Sequence, residues 1–312
     1  MQRDFVEPGS GPRRRLWAET IGCRVPRIDC TGRVAAVFER ACNVTLEGGG
    51  LVTLLAPDAG NVAHGIRLAG NQRLERRLRS GMSLRLADDR AIFDGGTVTV
   101  MLSAARTWTP RLRPGSCDWN GRSLRAALQV RDLLREHAGG GSSEFLASVL
   151  RSERAAAPLT PLGARVSAIL PRLALAARAR EPKATPGLIA QLIGLGPGLT
   201  PAGDDFTIGW LAGLTLLTDT HSRHGFLQAI CAQVEVLRQA TSSVSSQHLE
   251  DACELLFSER LLDVCVAIAD GAAEPTLASR VAAQLAVGAT SGADAAAGLM
   301  FALFECGLPA RR

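Results

Sequence analysis

The sequence contains no tyrosine and a single lysine, Lys183, although lysine and arginine together number 35. Aromatic side chains make up only 4% of the chain. Proteins that bind single-stranded nucleic acids stack bases on aromatic side chains that lie beside their basic residues. This composition therefore argues against a nucleic-acid partner. It also leaves Lys183 as the sole candidate for Schiff-base chemistry or for a P-loop lysine.

Long apolar runs are also missing. The longest apolar segments are interrupted by Gly, Asp or Arg, and the N-terminal segment lacks the apolar core of a secretion signal. The eight cysteines form no CxxC pair, so neither a zinc site nor a disulfide framework is expected. With 46% hydrophobic and 21% charged residues, the sequence is typical of a globular protein. We expect a cytoplasmic protein with no membrane partner.

The pattern of apolar residues divides the chain in two. In residues 1–115, short β-branched and apolar runs such as LRLADDRAIFDGGTVTVML are separated by Asp-Asp and Asp-Gly-Gly turns. From about Trp119, apolar residues recur at helical spacing. We therefore predict an α+β fold, in which a small antiparallel β domain, either a sandwich or a barrel, is followed by an all-α domain at residues 116–312.

The stretch GLGPGLTPAGDDF interrupts the helical region with four glycines, two prolines and a pair of aspartates. Free N–H groups at a helix start, together with the helix dipole, attract phosphate or carboxylate, and glycines let the backbone approach such a ligand closely. The stretch fits neither GxxxxGK[ST] nor GxGxxG, so the known nucleotide motifs give no support. We predict that the anion is bound by Gly196, Gly198 and Gly203. Thr200, Asp204 and Asp205 are the predicted catalytic residues, and the two aspartates are also candidate Mg²⁺ ligands.

A second turn, GATSGAD, repeats the order Gly, Thr, Gly, Asp before an apolar helix. It is predicted to form another wall of the same site through Thr290, Ser291, Gly292 and Asp294. Thr and Asp are also ordinary helix caps, so a turn that binds no ligand is the simpler interpretation of SGAD taken alone.

Two further segments complete the candidate site. In QATSSVSSQH, the hydroxyls of Thr241, Ser242 and Ser245 crowd a predicted helix start, where donation to a bound anion is a better interpretation than a Ser–His catalytic pair. In FERACN, Arg40 and Asn43 lie within a strand pattern, where they either form structural pairs or point into an interdomain cleft. In the second case we expect them to bind the anionic substrate.

These motifs together resemble the AllH-type subunit family of oxamate carbamoyltransferase. The resemblance covers most of residues 30–305, and the segments that carry it are, in order, FERACN…GGGLVTL, TWTPRL, GLGPGLTPAGDDF, TSSVS…L and GATSGAD…AG. It implies conversion of oxalurate and phosphate to oxamate and carbamoyl phosphate in purine (allantoin) catabolism. Two departures stand out, because the family usually has Ser where this chain has Ala202 and often a bulky residue where it has Ala293.

The resemblance further implies a hetero-oligomer with an acyl-CoA-synthetase-like subunit and one more companion. In the enzyme hypothesis, the Gly-rich loop holds the anionic substrate, Asp204 and Asp205 bind Mg²⁺ or orient the carbamoyl amine, and Arg40 pairs with a substrate carboxylate. No residue is an obvious nucleophile, which fits direct transfer between bound substrates. The alternatives are a non-catalytic anion-binding or scaffolding subunit that docks the acyl-CoA-synthetase-like partner, and a small-molecule or nucleotide sensor.

Overall fold

Strands form the first part of the chain and helices the second, as seen in a computed structural model. The structure describes residues 14–70, 73–115, 119, 121–138, 143–150, 160–218 and 221–307. The chain divides into two units, Met1–Thr109 and Pro110–Arg312. The predicted α+β fold, with a small β domain before a helical one, is confirmed.

The N-terminal unit is a barrel. Its strands are β1 (Arg14–Gly22), β2 (Cys30–Val37), β3 (Ala41–Leu46), β4 (Leu51–Leu55), β5 (Gly65–Leu68), β6 (Ser83–Ala87), β7 (Arg90–Phe93), β8 (Val98–Met101) and β9 (Arg106–Trp108). They are hydrogen-bonded in the order β5-β4-β3-β2-β6-β7-β8-β1-β9, and β1 also pairs with β5, which closes a ring of eight strands. Of the two predicted forms, sandwich or barrel, the structure has the barrel.

Local turn chemistry and alternating burial explain these strands. Asp88 and Asp89 both have positive φ, 48° and 54°, in the two-residue turn between β6 and β7, as a tight hairpin of this twist requires. Inward-facing side chains such as Ile21, Val44 and Phe93 fill the barrel. The sheet is not wholly antiparallel, because β1 runs parallel to β8 and β9, and β4 runs parallel to β5.

The described part of the C-terminal unit is helical, as predicted. Its helices are α1 (Gly121–Ala138), α2 (Glu144–Val149), α3 (Pro161–Ala179), α4 (Pro186–Leu192), α5 (Ala202–Leu217), α6 (His221–Leu237), α7 (Ser243–Cys253), α8 (Glu259–Ala269), α9 (Glu274–Leu285) and α10 (Ser291–Phe301). Among the helices that the structure describes, none combines the length and the apolar character that a membrane span needs.

Helices α5 and α10 cross at the centre of this unit, and both are buried over nearly their whole length. Glycines allow the close crossing, since a β-carbon on Gly209 would lie 1.8 Å from the carbonyl oxygen of Ala295. Aromatic rings pack beside the crossing, with Phe206 stacked on Phe145 at 4.7 Å between ring centroids and tilted against Phe301 at 5.4 Å. This packing fixes the two helix starts relative to each other.

Candidate functional site

The predicted site residues of the helical unit lie together, where α5, α7 and α10 begin. The Thr200 and Ser291 hydroxyls, 91 residues apart in sequence, are hydrogen-bonded at 2.9 Å and join the Gly-rich loop to α10. The Ser242 hydroxyl donates to the carbonyl of Leu199 and joins the same loop to α7. Ser242 also caps α7, because its side chain accepts the N–H of Ser245 at 3.0 Å.

Glycine is needed at four positions of the loop for two different structural reasons. Gly194, Gly196 and Gly198 have φ values of 74°, 115° and 98°, a region that other residues rarely adopt. Gly203 instead lies in the first turn of α5 and packs on the backbone, since a β-carbon there would be 2.1 Å from the carbonyl oxygen of Leu192. The tip of the loop around Gly198 is exposed, and Leu199 keeps 42% of its surface in contact with solvent.

The N–H groups at the start of α5 are largely used within the loop itself. The N–H of Gly203 donates to the carbonyl of Leu195 at 2.8 Å, and the N–H groups of Asp204 and Asp205 donate to the carbonyl of Pro201 at 2.9 and 3.2 Å. The sequence-based expectation of free N–H groups at this position is therefore wrong for these three donors. An anion at this helix start would have to bind the hydroxyls or the exposed tip of the loop.

Asp204 ties the loop to α7. Its fully buried carboxylate accepts the N–H of Gly194 at 2.8 Å, the hydroxyl of Thr241 at 2.5 Å and the hydroxyl of Ser245 at 2.7 Å. Burial raises the pKa of Asp204, while these three hydrogen bonds act in the opposite direction. In this arrangement the carboxylate positions the loop, and both of its oxygens have partners.

Asp205 points toward α10 instead. The hydroxyls of Ser291 and Thr200 hydrogen-bond to its carboxyl group, yet its Oδ2 atom is buried and has no hydrogen-bond partner. Burial raises the pKa of Asp205 well above its ordinary value, and the nearby charges of Asp294 and Asp204 raise it further.

Asp294 is the third buried acid of the cluster. Its Oδ1 atom accepts the Ser143 hydroxyl at 2.6 Å, and its Oδ2 atom is buried without a partner. Burial raises the pKa of Asp294 to about 6, against the opposing effect of hydrogen bonds from Ser143 and Thr290. Sequence reasoning missed Ser143. It caps α2 by accepting the N–H of Leu146, so a Ser just before an apolar helix was the available signal.

Small residues line the rest of the site. Gly292 packs against α9, since a β-carbon there would lie 1.9 Å from the carbonyl oxygen of Gln284. Ala202 is the first residue of α5 and is buried, and Ala293 is buried in the first turn of α10. A bulky residue in place of Ala293 would have to displace its neighbours.

Arg40 and Asn43 lie in the barrel unit. Arg40 forms an ion pair with Asp58 at 2.6 Å, and Asn43 accepts the Thr53 hydroxyl at 3.0 Å across the β3–β4 pair. Each therefore has a structural partner within its own unit. Their predicted roles in substrate binding stay predictions.

The fold and the site together define a class of protein. In this class a small β-barrel precedes a helical unit, and the helical unit contains a Gly-rich loop beside three buried aspartates. The comparison with known families agrees with this division. Residues 15–107 match the AllH family N-terminal domain, and residues 192–303 match the oxamate carbamoyltransferase subunit AllH. The chain belongs to the AllH family of oxamate carbamoyltransferase subunits. No solved structure matches this chain.

Proposed function

We propose that this chain acts in carbamoyl transfer between oxamate and phosphate, as one subunit of a hetero-oligomer in purine (allantoin) catabolism. Membership of the oxamate carbamoyltransferase subunit family supports the reaction class. The hydrogen bond between Thr200 and Ser291 supports the location of the site, because it joins two motifs that lie far apart in the sequence. A loop that only connected α4 to α5 would not need this link.

The chemistry requires no covalent intermediate with the protein. An oxygen of hydrogen phosphate forms a bond to the carbamoyl carbon of oxalurate, and the bond from that carbon to the oxamate nitrogen breaks. The proton of the phosphate passes to this nitrogen, so that oxamate and carbamoyl phosphate are formed with atoms and charge balanced. Catalysis then consists of positioning the two anions and stabilising charge, which suits a site with hydroxyls and no evident nucleophile.

The proposal gives the site residues different tasks. The loop is half-buried at Gly196 and exposed at Gly198. Together with the half-buried Thr200 and Ser291, whose hydroxyls are hydrogen-bonded, it is the surface that meets the anionic substrate. Asp204 is a positioning residue, because its carboxylate is occupied by three donors. Asp205 lies directly behind the hydroxyl pair and influences it through hydrogen bonds.

A scaffolding subunit that docks the acyl-CoA-synthetase-like partner is the second candidate. The observation that favours it is the internal use of the N–H groups at the start of α5, which is typical of a structural loop. In that case the exposed tip at Leu199 would contact the partner chain and not a small anion.

Isothermal titration of the purified chain with phosphate, carbamoyl phosphate and oxalurate, each with and without Mg²⁺, separates the two candidates. Carbamoyl transfer at this site predicts binding that Thr200→Val weakens about tenfold, since one hydroxyl contact to an anion is lost. Thr276→Val, at an exposed position in α9, is the control and leaves binding unchanged. The scaffold candidate predicts no binding by the isolated chain, together with tight assembly with the acyl-CoA-synthetase-like subunit.

A further inference from the structure

Two buried carboxyl groups in the helical unit share an unusual feature. Asp205 is 8% exposed and Asp294 is 1% exposed, and in each residue the Oδ2 atom is shielded from solvent without a hydrogen-bond partner. Buried polar atoms in folded proteins nearly always have a partner. Two such oxygens in one acidic cluster therefore point to a bound species that both of them would contact.

The helix crossing brings the two carboxyl groups into the same region. A β-carbon on Gly298 of α10 would lie 1.9 Å from the carbonyl oxygen of Phe206, the residue that follows Asp205. Ser291, which hydrogen-bonds to the carboxyl group of Asp205, lies three residues before Asp294 and so on the same face of α10. The hydroxyls of Ser143 and Thr290 complete this group of oxygens on the Asp294 side.

The charge balance of the cluster calls for a cation. Among the described residues of the helical unit, the ion pairs lie elsewhere and involve neither Asp205 nor Asp294. Burying an ionised carboxylate without a counter-charge is strongly unfavourable, and two adjacent ones repel each other. An anionic substrate would add a third negative charge, whereas a cation would neutralise the pair.

We propose that Asp205 and Asp294 together bind one divalent cation of the Mg²⁺ class, contacted by their unpartnered Oδ2 atoms. Every neighbouring group named above is a carboxyl or a hydroxyl oxygen, the ligand type that Mg²⁺ and Mn²⁺ prefer to nitrogen or sulfur. This pair differs from the predicted pair of Asp204 and Asp205, because both Asp204 oxygens already accept hydrogen bonds. The inference does not depend on the proposed carbamoyl transfer.

The competing explanation is that each carboxyl group holds a proton and binds no metal. Both explanations remove the repulsion between the two carboxylates. They predict different effects when either Asp is replaced by the neutral Asn. Asn mimics a protonated Asp, so protonation predicts that neither the wild type nor an Asn variant binds a cation here, and that Asn at either position stabilises the chain at neutral pH. Cation binding predicts that Asn removes a ligand.

Mn²⁺, whose free form gives a strong electron paramagnetic resonance signal, is the direct probe. Protein freed of metal by chelation and dialysis is titrated with Mn²⁺ alone. We expect the wild-type chain to bind about one Mn²⁺, and both Asp205→Asn and Asp294→Asn to weaken binding at least about tenfold. Asp132→Asn, which removes an exposed carboxylate of α1, is the matched control and should bind as the wild type does.

Thermal unfolding with and without MgCl₂ gives a second readout that is independent of activity. Mg²⁺ should raise the unfolding midpoint of the wild type and of Asp132→Asn, and raise that of Asp294→Asn far less. Ser143→Ala, which removes only a hydroxyl next to Asp294, serves if an Asn variant does not fold, and should weaken Mn²⁺ binding severalfold. No loss of free Mn²⁺ signal with wild-type protein, or equal binding by wild type and both Asn variants, would overturn the proposal.

Discussion

Gly298 and the carbonyl oxygen of Phe206 lie so close that a β-carbon on Gly298 would stand 1.9 Å from that oxygen. This contact sets how closely α10 approaches α5 where the two helices cross. Because Asp205 precedes Phe206 and Asp294 lies one turn before Gly298, the same contact fixes the distance between the two acids. The geometry of the acidic cluster therefore depends on a glycine that carries no chemistry itself.

Gly298→Ala should strongly destabilise the helical unit. The added methyl group would meet backbone atoms of Phe206 and Trp210, which cannot move as a flexible side chain can. We expect a loss of about 3 kcal/mol or more in the free energy of unfolding, measured by urea denaturation. The control is Gly225→Ala, in an exposed part of α6 with open space around the added carbon, which should be neutral or stabilise by up to about 1 kcal/mol. Equal stability of the Gly298 variant and the wild type would contradict this packing.

Asp204→Ala should also lower stability. The substitution removes the acceptor of three hydrogen bonds and leaves the donors of Gly194, Thr241 and Ser245 buried or half-buried without it. We expect the free energy of unfolding to fall by roughly 3 kcal/mol, and Asp204→Asn, which keeps one acceptor oxygen, to lose less. A loss below about 1 kcal/mol in urea denaturation of Asp204→Ala would show that the carboxylate does not hold the loop.

In the absence of divalent cations, Asp294 should make the fold less stable as pH rises. Its folded-state pKa is raised to about 6, so between about pH 4 and pH 6 the folded chain binds a proton that the unfolded chain has released. This stabilising contribution is complete at pH 4 and lost above pH 6. The difference in unfolding free energy between Asp294→Asn and wild type should therefore grow by roughly 3 kcal/mol from pH 4 to pH 7, in favour of the variant.

Denaturation of both proteins in chelator-containing buffer at several pH values measures this difference. The pKa of Asp205 is raised as well, so Asp205 also lowers the stability of the wild type and of Asp294→Asn as pH rises. It therefore does not reverse the sign of the difference in unfolding free energy between the two proteins. A difference that stays constant from pH 4 to pH 7 would mean that Asp294 does not gain a proton on folding.

Local signals in the sequence were sufficient to predict the strands of the barrel, but not to predict all the pairings between them. The Asp88-Asp89 turn predicts an antiparallel hairpin, because a two-residue turn leaves no other pairing. The parallel pairing of β1 with β8 joins strands about 80 residues apart, and no local pattern encodes it.

Within the site, the sequence could not distinguish the two neighbouring aspartates. Successive residues of a helix project about 100° apart, so Asp204 faces the start of α7 while Asp205 faces α10. Which one meets which partner depends on helix packing and not on the DD motif. Ser143 was missed for the same reason, since it contacts Asp294 across 151 residues of sequence.

The most direct test of the account is the activity of the complete complex with one acid altered. The chain is coexpressed with its partner subunits as wild type or as Asp205→Asn, and carbamoyl phosphate formed from oxalurate and phosphate is measured. We expect the wild-type complex to form it. The variant complex should assemble normally but lose at least about tenfold in rate, because Asp205 orients the Thr200 and Ser291 hydroxyls that meet the substrate. An Asp205→Asn complex as active as the wild type would contradict the assignment of the reaction to this site.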